Sequence, residues 1–139
     1  MSITLDQADR IIGAVLQAAA GRGAVTVIVT EEGGAPKAFK KQDGGYALDF
    51  EIALGRAFAA LSLSPGTSEQ LAAFRDRSPG FRVLVESVVR ASSGRMVVEP
   101  GGVRIADADK RVIGAVGVAG LAPAECQALA AEGLKIAGF

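Results

Sequence analysis

The chain has 139 residues, half of them hydrophobic, and its 15 basic and 15 acidic side chains cancel. This length suits one domain that buries a core of its own, without disulfides or metals. A net charge of zero provides no overall attraction to nucleic acid or to an anionic membrane, since both demand a basic surface.

The sequence carries no membrane or export signal. No apolar run reaches the roughly 18 residues of a membrane-spanning helix, and the first ten residues lack the basic-then-apolar order of a secretory signal. Cys126 is the only cysteine, which excludes an intrachain disulfide. We therefore expect a cytoplasmic protein. High apolarity without net charge also favours a homo-oligomer, because a monomer needs a polar surface.

The first half of the chain predicts a helix, two strands and another helix. Thr4 and Gln7 form a capping-box pair ahead of an apolar series with helical spacing, which ends at glycines 21 and 23. The expected strands are Val25–Thr30 and Pro36–Lys41, antiparallel to each other across a glycine-containing turn. The next helix begins near Leu48 and ends at residues 64–66, a Ser-Pro-Gly sequence.

The second half predicts two helices, three strands and a terminal helix. Thr67 and Gln70 form a second capping box that starts a short helix through Phe74. Phe81–Val89 has the spacing of a helix although valine favours strands, and we interpret it as a helix. The expected strands are Met96–Glu99 and the two sides of a hairpin with an Asp-rich turn at residues 106–110. Pro123 opens a terminal helix through Ile136.

This order of elements predicts an α+β domain. Strands that occur in hairpins, apart from the helices, favour an antiparallel sheet with helices packed on it over alternating βαβ units. No linker or internal repeat divides the sequence, so we expect residues 1–139 to form a single domain.

Glycines concentrate at two corners of the last hairpin. Gly101 and Gly102 precede the hairpin, and Gly117 and Gly120 lie near its exit. A glycine inside a strand costs stability, so several together indicate either tight packing against another backbone or the close approach of a ligand. Both interpretations remain open from the sequence.

Four motifs, in order along nearly the whole chain, resemble the GlcG/HbpS family, whose members are described as haem-binding or haem-degrading. The motifs are Ala38-Phe39 with Asp43-Gly44, Phe50–Ala57, Pro100–Arg104 and Gly114–Gly120. The resemblance implies a profilin-like fold with a five-stranded antiparallel sheet flanked by helices. It also implies a homo-oligomer, with haem or another tetrapyrrole as its ligand.

The chain departs from the family pattern at positions that matter for haem. Arg104 replaces a proline, residues 119–121 read Ala-Gly-Leu in place of Ser-Gly-Gly, and Cys126 replaces an acidic residue. There is also no histidine, the commonest protein ligand of haem iron. The remaining candidate axial ligands are Tyr46, Met96 and Cys126.

The leading hypothesis is an oligomeric protein that binds a small apolar or anionic ligand in a pocket at a subunit interface. The expected lining is Phe39, Phe50, Arg56, Met96, Gly101, Gly102, Gly117 and Gly120. Arg56 can bind a carboxylate through two N–H groups, although a solvated surface charge is an alternative. Lys37, Lys40 and Lys41 either supply further positive charge or protect an edge strand from pairing.

An alternative function is a cofactor-independent isomerase, lyase or cyclase that acts on a hydrophobic metabolite. The absence of histidine excludes a Ser-His-Asp arrangement and the usual zinc sites, and we expect no metal site. Cys126 lies in the first turn of the terminal helix, where free N–H groups favour a thiolate; the alternative is a small buried hydrophobe. The other candidate catalytic residues are Tyr46, Glu51 and Asp43. A structural or regulatory partner protein without a ligand is a third interpretation.

Overall fold

A four-stranded antiparallel sheet organises the computed structural model, which describes residues 1–62 and 66–139. The helices are α1 (Leu5–Ala18), α2 (Asp49–Ser62), α3 (Ser68–Asp76), α4 (Pro79–Ala91) and α5 (Pro123–Ile136). The strands are β1 (Thr26–Glu31), β2 (Pro36–Lys41), β3 (Gly102–Ala106) and β4 (Val112–Ala119). They lie in the order β2-β1-β4-β3, so β2 and β3 form the edges of the sheet. The expected α+β class is confirmed.

The two faces of the sheet pack against different helices. On one face, branched side chains such as Val27 and Val116 pack with α1 and α5 in the largest apolar cluster. On the other face, Ile28 and Ala115 pack with the alanines of α2. The alternation of side chains along each strand produces this division. Small residues therefore bring α2 much closer to the sheet than branched residues would.

Two glycines allow this close approach. Gly102 of β3 is the direct cross-strand partner of Gly117 of β4. A Cβ atom at Gly117 would collide with the carbonyl oxygen of Ala53, and one at Gly102 would collide with the carbonyl oxygen of Arg56. The backbone of α2 thus lies directly on the sheet, which supports the tight-packing interpretation at these positions.

The expected fifth strand, Met96–Glu99, is wrong for the described residues. The N–H of Val97 donates to the carbonyl oxygen of Gly55 in α2 at 3.1 Å, and Arg75 Nη1 donates to the carbonyl oxygen of Val98 at 2.9 Å. The backbone groups of this segment therefore pair with a helix and a side chain. The outer edge of β3, where a fifth strand could pair, instead forms an isolated bridge between Val103 and Thr67.

The sequence signals for the helices are largely confirmed. Thr4 and Gln7 form the complete capping box of α1. At α3, the Thr67 hydroxyl accepts from the Gln70 N–H at 3.0 Å but donates to the Gln70 side chain, so this box is only half formed. Residues 64–65, where we expected α2 to end, lie outside the described residues.

Among the helices that the structure describes, none is long and apolar enough to cross a lipid bilayer.

Candidate functional site

The glycine corners are filled by the protein itself. A Cβ atom at Gly101 would lie 2.7 Å from both Arg56 Cδ and the carbonyl oxygen of Val118, and one at Gly120 would collide with the carbonyl oxygen of Ala24. The same holds for the Gly102–Gly117 pair beneath α2. The prediction of an open pocket lined by these glycines is therefore wrong. The glycines make room for backbone and for Arg56, and leave no space there for a ligand.

Arg56 binds the corner of the sheet. Its side chain is only 6% exposed, and Nη1 donates to the carbonyl oxygen of Val118 at 2.8 Å. Nearby, the N–H of Gly101 donates to Gln127 Oε1 at 2.7 Å. The buried guanidinium thus links α2 to the end of β4, and neither a ligand-facing cation nor a solvated surface charge describes it.

Cys126 belongs to the apolar core between the sheet, α1 and α5. The side chain is fully buried, and Sγ donates to the carbonyl oxygen of Leu121 at 3.5 Å. Burial raises the pKa of the Cys126 thiol, against the smaller opposing effects of that hydrogen bond and of Arg56. These surroundings favour the neutral thiol, the reverse of the low-pKa thiolate hypothesis, and the small buried hydrophobe is the description that fits.

The other candidate catalytic residues do not converge with Cys126. Asp43 lines an open groove beside Lys40 and Lys41, and Glu51 lines a different cavity next to α2. Tyr46 is exposed in the loop before α2, where its N–H donates to Asp49 Oδ2 at 2.9 Å. These residues therefore do not assemble an arrangement of nucleophile, base and acid.

Exposed apolar side chains occur on β2 and in the segment that leads into α2. Phe39, Tyr46, Leu48 and Phe50 are called here the aromatic surface. The side chains of Phe39, Tyr46 and Leu48 are 52%, 72% and 66% exposed. The rings of Phe39 and Phe50 meet edge to face, with centroids 4.8 Å apart. In a chain whose aromatic residues make up only 5% of the sequence, this concentration indicates a binding surface.

Two of the predicted binding residues, Phe39 and Phe50, are thus brought together, and Tyr46 is close to them in the chain. Leu48 was not among the predicted binding residues, because its position indicated only the start of a helix. The signal was available: it is a large apolar residue in a polar, glycine-containing loop. Met96 lies elsewhere, buried in a separate cluster with Leu71 and Val85.

Lysines flank the aromatic surface on the edge strand. Side chains alternate along a strand, so Phe39 and Lys41 share one face of β2 while Lys40 points to the other. Phe39 pairs with Ile28, whose side chain packs with α2, so this is the α2 face. A register shift opposite Val29 and Thr30 interrupts this alternation at Lys37. Lys37 Nζ lies 2.9 Å from Glu31 Oε1. The position of β2 confirms the expected edge strand, and Lys41 places positive charge on the same face as Phe39.

Only one of the three candidate axial ligands is accessible. Met96 is 4% exposed and Cys126 is fully buried, whereas the phenol of Tyr46 is in solvent. Over residues 1–62 and 66–139, no three Cys, Asp or Glu side chains come together as a metal site would require. The donor set that a haem iron could reach at the aromatic surface is therefore a single phenol oxygen.

Comparisons with known proteins agree with the fold and the sequence motifs. The model of the family described as "Haem degrading protein HbpS-like" matches residues 3–135. Among solved structures, Klebsiella pneumoniae protein ORFY has 26% identity and a TM-score of 0.84, covering 97% of this chain and 90% of its own. No functionally curated protein gives a significant match in sequence.

Two more distant structures show the same fold. The PduOC:heme complex has 16% identity and a TM-score of 0.83, covering 97% of this chain and 94% of its own. Streptomyces reticuli HbpS, as a double mutant, has 21% identity and a TM-score of 0.80, covering 100% of this chain and 89% of its own.

Proposed function

Because the chain belongs to the HbpS-like family of haem-degrading proteins, we propose that it binds haem or another tetrapyrrole on the aromatic surface. Support for this ligand comes from the family and from PduOC, a protein of the same fold whose structure is a complex with haem. The proposal concerns binding, since the described residues provide no assembled catalytic group.

The exposure of the aromatic surface is the observation that carries the proposal. Phe39 and Leu48 are more than half exposed, and covering them with a flat apolar macrocycle would bury area worth about 25 cal/mol per Å². Aromatic rings also stack favourably with other π systems. A tetrapyrrole is thus the kind of ligand that this surface would hold best.

The polar groups around the surface fit the rest of a haem molecule. Lys41 would bind a propionate group, because an ammonium group attracts a carboxylate as a point charge. Tyr46 would hold the iron through its phenol oxygen, an axial ligand that other haem proteins use. Bound haem would supply the redox-active iron, while the chain supplies the apolar surface, the positive charge and the phenol.

A haemin titration followed by absorption spectroscopy tests the proposal. We expect a saturable shift of the Soret band, and a spectrum in Tyr46→Phe that loses the signature of phenolate ligation. We expect Leu48→Ser to weaken binding about ten-fold, which corresponds to the loss of one buried aliphatic side chain. Leu84→Ser is the matched control, since Leu84 is more than half exposed, like Leu48, but lies on α4. An unchanged Soret band at a several-fold excess of protein would refute haem binding.

We also propose that the protein is a homo-oligomer in which a second copy helps to cover the aromatic surface. Large exposed apolar patches on soluble proteins mark interaction sites. Among the described residues, no strand pairs with the outer edge of β2, which carries Phe39. An unpaired edge strand is a ready template for association. The ligand would then lie between subunits.

A further inference from the structure

A second, smaller cavity lies between α2 and the turn that joins β1 to β2. Its volume is about 260 Å³, slightly below the roughly 300–1,000 Å³ of ligand pockets for drug-sized molecules. The walls that matter are Gly34, Pro36, Glu51, Leu54, Phe58 and Arg95. None of them belongs to the aromatic surface, and a cavity of this size accommodates a small metabolite but not a tetrapyrrole.

Arg95 brings an uncompensated positive charge to this cavity. Its guanidinium carbon lies 3.9 Å from the centre of the Phe58 ring, and this stacking leaves the in-plane N–H groups free to donate. No carboxylate of residues 1–62 or 66–139 forms an ion pair with Arg95. A stacked guanidinium with free donors is well suited to bind a carboxylate through two hydrogen bonds.

The backbone holds Arg95 in this position. Ser93 and Gly94 adopt positive φ values of 58° and 74°, which turns the chain sharply after α4. Gly55 lets the next segment rest on α2: a Cβ atom there would lie 3.1 Å from the carbonyl oxygen of Arg95 and would collide with Val97. Arg95 therefore lies on a segment that is fixed to the same helix that supplies Phe58. Ligand binding then loses little conformational entropy, because this segment is already ordered.

Gly34 shapes the opposite wall. Its φ is 91°, and a Cβ atom at this position would lie 2.7 Å from Phe58 Cδ2 and 3.4 Å from Arg95 Nη2. The turn between β1 and β2 consequently approaches both the aromatic ring and the guanidinium, and the three residues enclose one end of the cavity. Leu54 and Pro36 continue it as an apolar wall.

Glu51 places a negative charge at the other end. Residues 51, 54, 55 and 58 follow helical spacing on one face of α2. Two turns of helix separate Glu51 from Phe58, about 10 Å at 1.5 Å per residue. Glu51 forms no ion pair with another described residue, so its charge acts on whatever enters. A ligand with a second negative charge would be repelled there.

We propose that this cavity binds a small monocarboxylate with an apolar body. The carboxylate accepts hydrogen bonds from Arg95, and the body packs against Phe58, Leu54 and Pro36. The inference does not depend on haem binding, since it uses none of the residues of the aromatic surface.

Phenylacetate is the probe, and ¹H–¹⁵N NMR of the full chain reports where it binds. We expect saturable shifts at the amides of Gly34, Leu54 and Arg95, which Tyr46→Phe leaves unchanged. Arg95→Gln should weaken binding about ten-fold, the value of a hydrogen bond to a charged group. Arg22→Gln, at another exposed arginine, should leave the affinity unchanged. Benzyl alcohol, which lacks the charge, should bind as weakly to the normal chain as phenylacetate binds to Arg95→Gln.

A dicarboxylate tests the role of Glu51. We expect phenylsuccinate to bind more weakly than phenylacetate to the normal chain, and Glu51→Gln to narrow that difference. Saturable shifts that map outside the cavity, an affinity for phenylacetate that Arg95→Gln does not alter, or the absence of saturable binding would each overturn the proposal.

Discussion

At the scale of single residues, the chemistry of this chain depends on what approaches each glycine. Gly117 and Gly102 meet carbonyl oxygens of α2, and Gly55 meets Val97 and the Arg95 carbonyl. The sequence predicted close approach at the first two positions, because a glycine in a strand has to be explained by its surroundings. It did not distinguish a ligand from a backbone, since both need the same missing Cβ atom.

Gly117→Ala and Gly13→Ala form a matched pair. We expect Gly117→Ala to lower the free energy of unfolding by about 3 kcal/mol, because its Cβ atom meets backbone that moves only if α2 shifts. A Cβ atom at Gly13 meets nothing within 4 Å on the exposed side of α1. Gly13→Ala should therefore stabilise the protein by about 0.5–1 kcal/mol. Urea unfolding measures both, and equal effects would contradict the packing of α2.

The buried thiol of Cys126 should make the stability of the protein depend on pH in the alkaline range. Its pKa is raised in the folded protein by burial, relative to an ordinary value of 9.0. Above that pH the unfolded chain releases the proton while the folded chain keeps it, so the free energy of unfolding falls as pH rises. Below pH 9.0 the thiol contributes no such dependence. We expect the normal chain to lose stability more steeply than Cys126→Ala as the pH rises above 9.0. Parallel profiles in urea unfolding would contradict the prediction.

At the scale of helices and strands, local signals were reliable and long-range pairing was not. The capping box at Thr4, the hairpin of β1 and β2 and the proline at the start of α5 all follow from contacts within a few residues, and the structure contains them. Met96–Glu99 failed because its β-forming residues pair with α2 and Arg75, which are distant in sequence. Propensity alone does not decide between a strand and an extended segment that lies on a helix.

The candidate site was predictable to a similar degree. Phe39, Phe50 and Tyr46 are large apolar residues on an edge strand and beside a helix start, and exposure could be inferred from their polar neighbours. Arg56 and Met96 were assigned to the same site by residue type. Their burial follows from the tertiary packing of α2 and α4, which the sequence does not report.

Gly55→Ala should detach the segment that follows α4. The added Cβ atom would collide with Val97, so the hydrogen bond from the Val97 N–H to the Gly55 carbonyl oxygen should lengthen or break. We expect amide hydrogen exchange at Val97 to accelerate more than at Val116 in the centre of β4. Phenylacetate affinity should fall as well, because Arg95 precedes Val97. Unchanged exchange at Val97 would contradict this account of Gly55.

At the scale of the whole molecule, the two faces of the sheet differ in what remains uncovered. The face under α1 and α5 carries the largest buried cluster. On the other face α2 leaves the edge strand β2 with Phe39 half exposed. Charge does not oppose self-association, since the net charge is zero.

Leu48→Glu tests association through that surface. Leu48 is 66% exposed in the single chain, so the substitution costs little in the monomer but places a charge in the proposed interface. We expect the normal chain to elute as an oligomer in size-exclusion chromatography with light scattering, and Leu48→Glu to shift it towards the monomer. Leu84→Glu on α4 serves as the control. A monomeric normal chain would contradict the proposed homo-oligomer.

The seating of α2 on the sheet has a mechanical consequence. Where a helix rests on branched side chains, those side chains can change rotamer and let the helix slide. Here carbonyl groups of α2 contact the glycine backbone at Gly102 and Gly117 directly, so there is no side chain between helix and sheet that could change rotamer. Phe50 and Phe58 both lie on α2, so their positions relative to each other and to the sheet are fixed. Ligand binding at the aromatic surface and ligand binding in the Arg95 cavity should therefore be independent. Each ligand should meet its site in the same conformation whether or not the other ligand is bound.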